Sequence, residues 1–163
     1  MEPLEDVNRQ AIDRAIRFIE HRARSKSETR DRLMRWGYSS DASNQVVAYL
    51  ESCGLLDDHQ FATVFLGEML RKGFGFNRVR GELLRKKLER DLVEEVLGEY
   101  PLDEELRRAV GLAGPLAAKF DIDDSTILRR KMMGYLTRRG YSRDVALEAC
   151  RRACDVDTQM GPE

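Results

Sequence analysis

Three stretches of this chain repeat one another. Leu33-Met34-Arg35-Trp36-Gly37-Tyr38-Ser39, Leu83-Leu84-Arg85-Lys86-Lys87-Leu88-Glu89 and Leu136-Thr137-Arg138-Arg139-Gly140-Tyr141-Ser142 share the pattern Leu-x-Arg-x-(Gly or Lys)-(Tyr or Leu)-(Ser or Glu). They lie 50 and 53 residues apart. The same offsets align Val46, Val96 and Ala149, and beside them Val47, Leu97 and Cys150. A period of this length means a supersecondary unit used several times. Cys150 stands where the other copies carry aliphatic residues, which predicts a packing role for it.

Each copy reads as three helices, because its apolar residues recur at helical spacing. In the first, Ile12, Ile16, Ile19 and Ala23 form one stripe, and Ser25-Lys26-Ser27-Glu28 is a capping box that opens the next helix. Gly37 suits the left-handed residue that closes it, and Gly54 ends the third helix. The second copy starts at Asp57-Asp58, with Phe61, Val64, Phe65 and Met69 as its first stripe. Lys87 takes the place of the closing glycine, which predicts either a left-handed lysine or a different turn. In the third copy Gly114-Pro115 predicts a kink or split in a helix from Asp103 to about Phe120. Asp121 to Asp124 form an acidic loop suited to capping the helix that carries Ile127, Leu128, Met132, Tyr135 and Leu136. The fold expected is all-α: three tandem three-helix repeats in an elongated, curved array. The repeats span residues 1-56, 57-100 and 101-163, the last with a C-terminal tail.

Composition is compatible with this and excludes other classes. Of 163 residues, 42% are hydrophobic, enough for a core, and only four are proline. No apolar run reaches the roughly 18–20 residues of a membrane span. The acidic start, Met1-Glu2-Pro3-Leu4-Glu5-Asp6, lacks the pattern of a secretion signal, and three cysteines suit reduced thiols. A cytoplasmic monomer with no membrane association is expected.

The net charge of −1 conceals a sorted distribution. Arg14 to Arg35 holds eight basic and three acidic residues, Arg71 to Arg90 eight and two, and Arg129 to Arg143 six and none. Taken singly, each block reads as a solvated helix face. Their recurrence at one place in every repeat predicts a joined basic track that meets a polyanion, either a phosphate backbone or an acidic groove on a protein. The candidate contact residues are Arg32, Arg35, Trp36, Lys72, Arg78, Arg80, Arg85, Lys86, Arg129, Arg130, Arg138 and Arg139. Trp36 aligns with Lys86 and Arg139, so it reads either as an exposed stacking residue or as one packed under its own repeat. Phe74 and Phe76, flanking Gly75, read either as a contact loop or as core.

Catalytic patterns are wanting. There is no phosphate-binding glycine loop of Walker type and no nucleophile elbow, and neither His21 nor His59 has a nucleophile beside it in sequence. Asp57-Asp58 could hold magnesium, but acids are expected at a helix start in any case. Cys150 and Cys154 lack the further ligands of a zinc site. No cofactor, no metal and no enzymatic activity are expected.

Gly54-Leu55-Leu56-Asp57-Asp58-His59-Gln60-Phe61-Ala62 resembles the Leu-(Leu/Ile)-(Asp/Asn)-Asp-x-x-(Phe/Tyr)-Ala signature of the RecX family. The stretch from Lys72 to Leu83 resembles the family's glycine-rich turn and basic helix, and Arg22-x-Arg24-Ser25-x-x-Glu28 its first-repeat opening. The resemblance runs from about residue 11 to 154. Phe76 stands where the family commonly has proline, and Lys87 where it has glycine. The resemblance implies a mainly negative regulator of the RecA recombinase in homologous recombination, DNA repair and the SOS response. Such a protein lies in the groove of the RecA–single-stranded-DNA filament and inhibits ATPase, strand exchange and co-protease activity. Direct binding to single- or double-stranded DNA is the alternative.

Overall fold

The structure, a computed structural model, describes residues 4–119 and 125–157. Among them are nine α-helices and no strand: α1 (Leu4–Glu20), α2 (Lys26–Arg35), α3 (Ser40–Ser52), α4 (Asp58–Arg71), α5 (Phe76–Arg85), α6 (Arg90–Leu97), α7 (Leu102–Lys119), α8 (Ser125–Arg138) and α9 (Arg143–Asp157). They follow the sequence pattern in threes.

The punctuation is what the residues dictate. Ser25 Oγ accepts the Glu28 N–H at 3.1 Å while a Glu28 carboxylate oxygen accepts the Ser25 N–H at 3.3 Å, so both halves of the capping box form. α2 closes on Gly37 at φ 97°, with Gly37 N–H to the Met34 carbonyl and Tyr38 N–H to the Leu33 carbonyl. Gly140 closes α8 in the same way. Lys87 adopts the left-handed conformation itself, φ 57°, with its N–H on the Leu84 carbonyl. The three repeats therefore share one turn, and the second makes it without glycine.

The chain divides into two compact units, residues 1–65 with 83–96 and residues 66–82 with 97–163. The division falls inside α4 and α5 and before the last residue of α6, so the second repeat contributes to both. In the first unit Ala11, Ala15, Leu33, Val46, Leu50 and Leu56 are the buried core, with Ile12, Ile16 and Ile19 packed against it. In the second, Ala109, Ala113 and Ala117 of α7 share a core with Met132, Leu136 and Tyr141 and with Ala146, Ala149, Cys150 and Ala153 of α9. Small side chains let α7 and α9 approach closely. Cys150 is fully buried there, as its repeat position predicts.

Four local expectations change. α1 ends at Glu20, so Ala23 lies beyond it and is exposed; the buried stripe is Ala11 and Ala15. Val64 and Ile127, expected to face inward, are 44% and 46% exposed. Pro115 does not split α7, which is one helix from Leu102 to Lys119. Its ring displaces the bond to the Gly111 carbonyl, and both residues lie on the exposed side of the helix, where an unpaired carbonyl costs least. The acidic loop Asp121 to Asp124 and the tail after Asp157 lie outside the described residues.

Candidate partner-binding surface

The Asp57-Asp58 pair is a joint between repeats. Asp57 Oδ1 accepts the N–H groups of His59 at 2.8 Å and Gln60 at 3.1 Å, capping α4. Those bonds hold its carboxyl below the ordinary range. Asp58 Oδ1 instead accepts the N–H of Lys26, the first residue of α2, at 2.8 Å. Burial pushes the Asp58 carboxyl up, against the Lys26 N–H and ammonium. Lys26 Nζ completes the joint on Glu51 at 2.8 Å. The second unit has an equivalent: Glu105 in the first turn of α7, buried, accepts the N–H of Phe76, the first residue of α5, at 3.0 Å, and the Tyr100 hydroxyl at 3.2 Å. Among the described residues no group of three or more His, Cys, Asp or Glu could hold a metal.

The basic residues of the first unit differ in what they touch and in how far they are exposed. Lys86 Nζ lies 2.7 Å from Glu28 Oε1 and 5.6 Å from the Phe65 ring centre. Lys87 Nζ pairs with Asp31 at 2.9 Å. Trp36 is half-buried, edge-on to Phe18 with ring centres 5.9 Å apart. The Arg14 and Arg32 guanidiniums lie over its ring at 4.6 and 5.4 Å. Arg24 and Arg32 lie over Phe18 at 4.1 and 5.3 Å. Arg14, Arg17, Phe18, His21, Arg32 and Trp36 line an open groove of about 320 Å³. Arg35 and Arg85 are exposed. Of this groove, sequence reasoning found Arg32 and Trp36 and missed Arg14 and Arg17; the available signal was the four-residue spacing Arg14–Phe18 on α1.

In the second unit Arg139 is half-buried and engaged, and Arg78, though exposed, is engaged too. The Arg139 guanidinium donates to the Lys72 carbonyl at the end of α4 and lies 5.1 Å from the centres of both Phe74 and Tyr135. Arg78 pairs with Glu82 at 2.9 Å and lies 5.5 Å from Phe74. Phe74 is thus half-buried between two guanidiniums, and Phe76 packs edge-on against Tyr100, ring centres 5.3 Å apart. Between these aromatics Gly75 donates its N–H to the Arg139 carbonyl at 2.8 Å, and Asn77 its own to the Gly140 carbonyl at 3.0 Å.

Lys72 and Arg80 are exposed, as are Arg129, Arg130 and Arg138 on α8. Between α8 and α9 runs a groove of about 910 Å³. Met133, Leu147, Cys150 and Cys154 supply apolar lining, Arg129, Arg130, Arg143 and Arg151 the positive charge, and Asp144 and Glu148 the negative. Of these arginines, Arg143 and Arg151 are not among the candidates that the basic blocks supply. Each unit therefore presents guanidinium groups beside apolar or aromatic surface, a chemistry for docking anions and protein partners rather than for bond-making.

Known proteins share this fold. Residues 11–50 match the family model of the RecX first three-helix domain, and residues 57–97 that of the second. The regulatory protein RecX of Listeria innocua serovar 6a is 28% identical over 149 residues, 91% of this chain and 55% of that one. The regulatory protein RecX of Clostridium botulinum strain Eklund 17B is 27% identical over 157 residues, 93% and 74% of the two chains. This chain thus spans about half the length of the Listeria relative. The crystal structure of RecX from Lactobacillus salivarius superposes with a TM-score of 0.80 at 19% identity, covering 92% of this chain and 98% of that one. A crystal structure of regulatory protein RecX gives 0.77 at 20% identity, covering 87% and 70%. At these identities the structural likeness is one of fold.

Proposed function

Because the chain belongs to the RecX family, we propose that it is a mainly negative regulator of the RecA recombinase that lies in the groove of RecA–single-stranded-DNA filaments. There it lowers ATPase, strand exchange and co-protease activity, in the cytoplasm and as a monomer. The supporting observation is the repeated three-helix unit with exposed arginines in both compact units: Arg35 in one, Arg129, Arg130 and Arg138 in the other. Each contact adds modestly, and tethering several on one chain multiplies their effect. A basic track joined through all three repeats is part of this proposal. So is the assignment of residues 1-56, 57-100 and 101-163 as its three repeats.

The engaged cations take a different part. Lys86 and Arg139 hold repeats together, so they support the surface rather than form it. The test is RecA ATPase on single-stranded DNA, with and without this protein. A fall in rate is expected, and an unchanged rate overturns the reading.

A second reading, direct contact with DNA, is favoured by the Arg14–Trp36 groove, since aromatic faces beside guanidiniums stack bases. Trp36 is the only tryptophan, so its emission reports on that groove. Under this reading an oligonucleotide quenches it without RecA, and affinity falls with salt at a log–log slope of about −0.7 per phosphate neutralised.

A further inference from the structure

The chain seats one repeat on another twice in the same way. A carboxylate from the first turn of a following helix, Asp58 or Glu105, meets the residue seven positions before a buried leucine: Lys26 before Leu33, Phe76 before Leu83. In the third repeat the buried leucine is Leu136, and the residue seven before it is Arg129. α8 begins four residues earlier, at Ser125, so the helix end that accepts the acid in the first two repeats is here an internal turn. In place of a free N–H it presents the exposed Arg129 guanidinium. Arg129 lines the α8–α9 groove of about 910 Å³, whose lining residues all come from those two helices.

We propose that this groove seats an amphipathic helix of a protein partner, one with a carboxylate in its first turn, in the manner in which the chain seats its own α4 and α7. The charge fits: Arg129, Arg130 and Arg143 line it, and of the two acids beside them, Asp144 and Glu148, the latter is already paired with Arg151 and Arg152, so cations are in excess. Apolar surface is also in place, since Met133 and the 40% exposed Leu147 offer side chains to the partner's buried stripe. A guanidinium grips a carboxylate with a fork of donors and keeps its charge at every physiological pH. An apolar floor with a cationic edge is the complement of an acidic helix start followed by aliphatic residues. The identity of the partner rests on the filament reading above; the chemistry of the groove does not.

The probe is a labelled synthetic peptide of residues 57–71, the chain's own acid-led helix, titrated against the full-length protein by fluorescence anisotropy. Arg129→Glu and Leu147→Glu change exposed positions, and an unchanged melting curve confirms that each variant is folded. Binding should weaken about tenfold in either variant, and comparably when the peptide carries Asp57→Asn with Asp58→Asn. Equal binding by the unmodified protein and both variants, or no binding at all, overturns the inference. So does concentration-dependent self-association that Leu147→Glu abolishes, because the occupant is then a second copy. RecA ATPase is run alongside: absent inhibition by the unmodified protein removes the filament reading, while the peptide titration still decides the groove.

Discussion

Asp58 caps a helix that is not its own. Its Oδ1 accepts the Lys26 N–H at the start of α2, 32 residues away, at 2.8 Å, while the adjacent Asp57 caps α4. Two neighbouring acids thus do one job for two helices, which accounts for acids at both positions of the pair.

Replacing either acid by alanine leaves a helix N-terminus unsatisfied. Asp58→Ala should lower unfolding free energy by about 1 kcal/mol in urea titration, within the range of other lost caps. Asp58→Asn keeps an acceptor and should come within about 0.5 kcal/mol of the unmodified chain at pH 7, since the two side chains cap about equally well. The folded Asp58 carboxyl is raised, chiefly by burial, so its ionisation disfavours the folded state. Its contribution is full below the unfolded value and is lost as pH rises through the folded one. Asp58→Asn should remove that component from the pH profile.

Glu28 titrates with the opposite sign. Burial pushes its carboxyl up, but the Lys86 hydrogen bond and charge, with Arg22 and the Ser25 N–H, outweigh burial and hold it below its ordinary value of 4.5. Its stabilisation is therefore full above that value and is lost as pH falls through the lower, folded one. A Glu28→Gln, Lys86→Met double-mutant cycle at pH 7 should give a coupling of about 0.5–1 kcal/mol, fading in acid. No coupling at pH 7 contradicts the tie between the first two repeats.

Gly75 and Gly140 meet backbone to backbone. A Cβ on Gly75 would lie 2.6 Å from the Gly140 carbonyl carbon, and one on Gly140 2.3 Å from the Arg78 Cβ. Neither neighbour is a flexible side-chain end. Gly75→Ala should destabilise by about 1–3 kcal/mol, as overpacking does, and Gly140→Ala by at least as much because its φ is +94°. Lys87→Gly runs the other way. It relieves a left-handed lysine, about 1 kcal/mol, and gives up an exposed pair with Asp31 of about 0–1 kcal/mol, so thermal unfolding should find it neutral or mildly stabilising.

Much of this architecture was legible in the sequence because it is local. The repeat offsets, the Ser25–Glu28 box and the closures at Gly37 and Gly140 depend on residues a few positions apart. Asp57 as a helix start was readable for the same reason. What Asp58 reaches was not, because its partner is 32 residues away. The basic blocks were visible as composition, yet composition does not say where a charge is spent. Lys86 goes to Glu28 and Arg139 to the end of α4, whereas Arg130 and Arg138 stay exposed. Periodicity likewise placed Val64 and Ile127 on apolar stripes, though their flanks of the helices meet solvent.

This sorting decides which arginines to reverse. Changing Lys86 or Arg139 would loosen the fold, so loss of activity there would be ambiguous. Arg130→Glu with Arg138→Glu alters the exposed face of α8 and should leave melting unchanged. The decisive measurement is inhibition of RecA ATPase on single-stranded DNA by the unmodified protein and by this variant. The prediction is inhibition by the former and about tenfold weaker inhibition by the latter. Equal inhibition by both folded proteins, or none by the unmodified one, would contradict it.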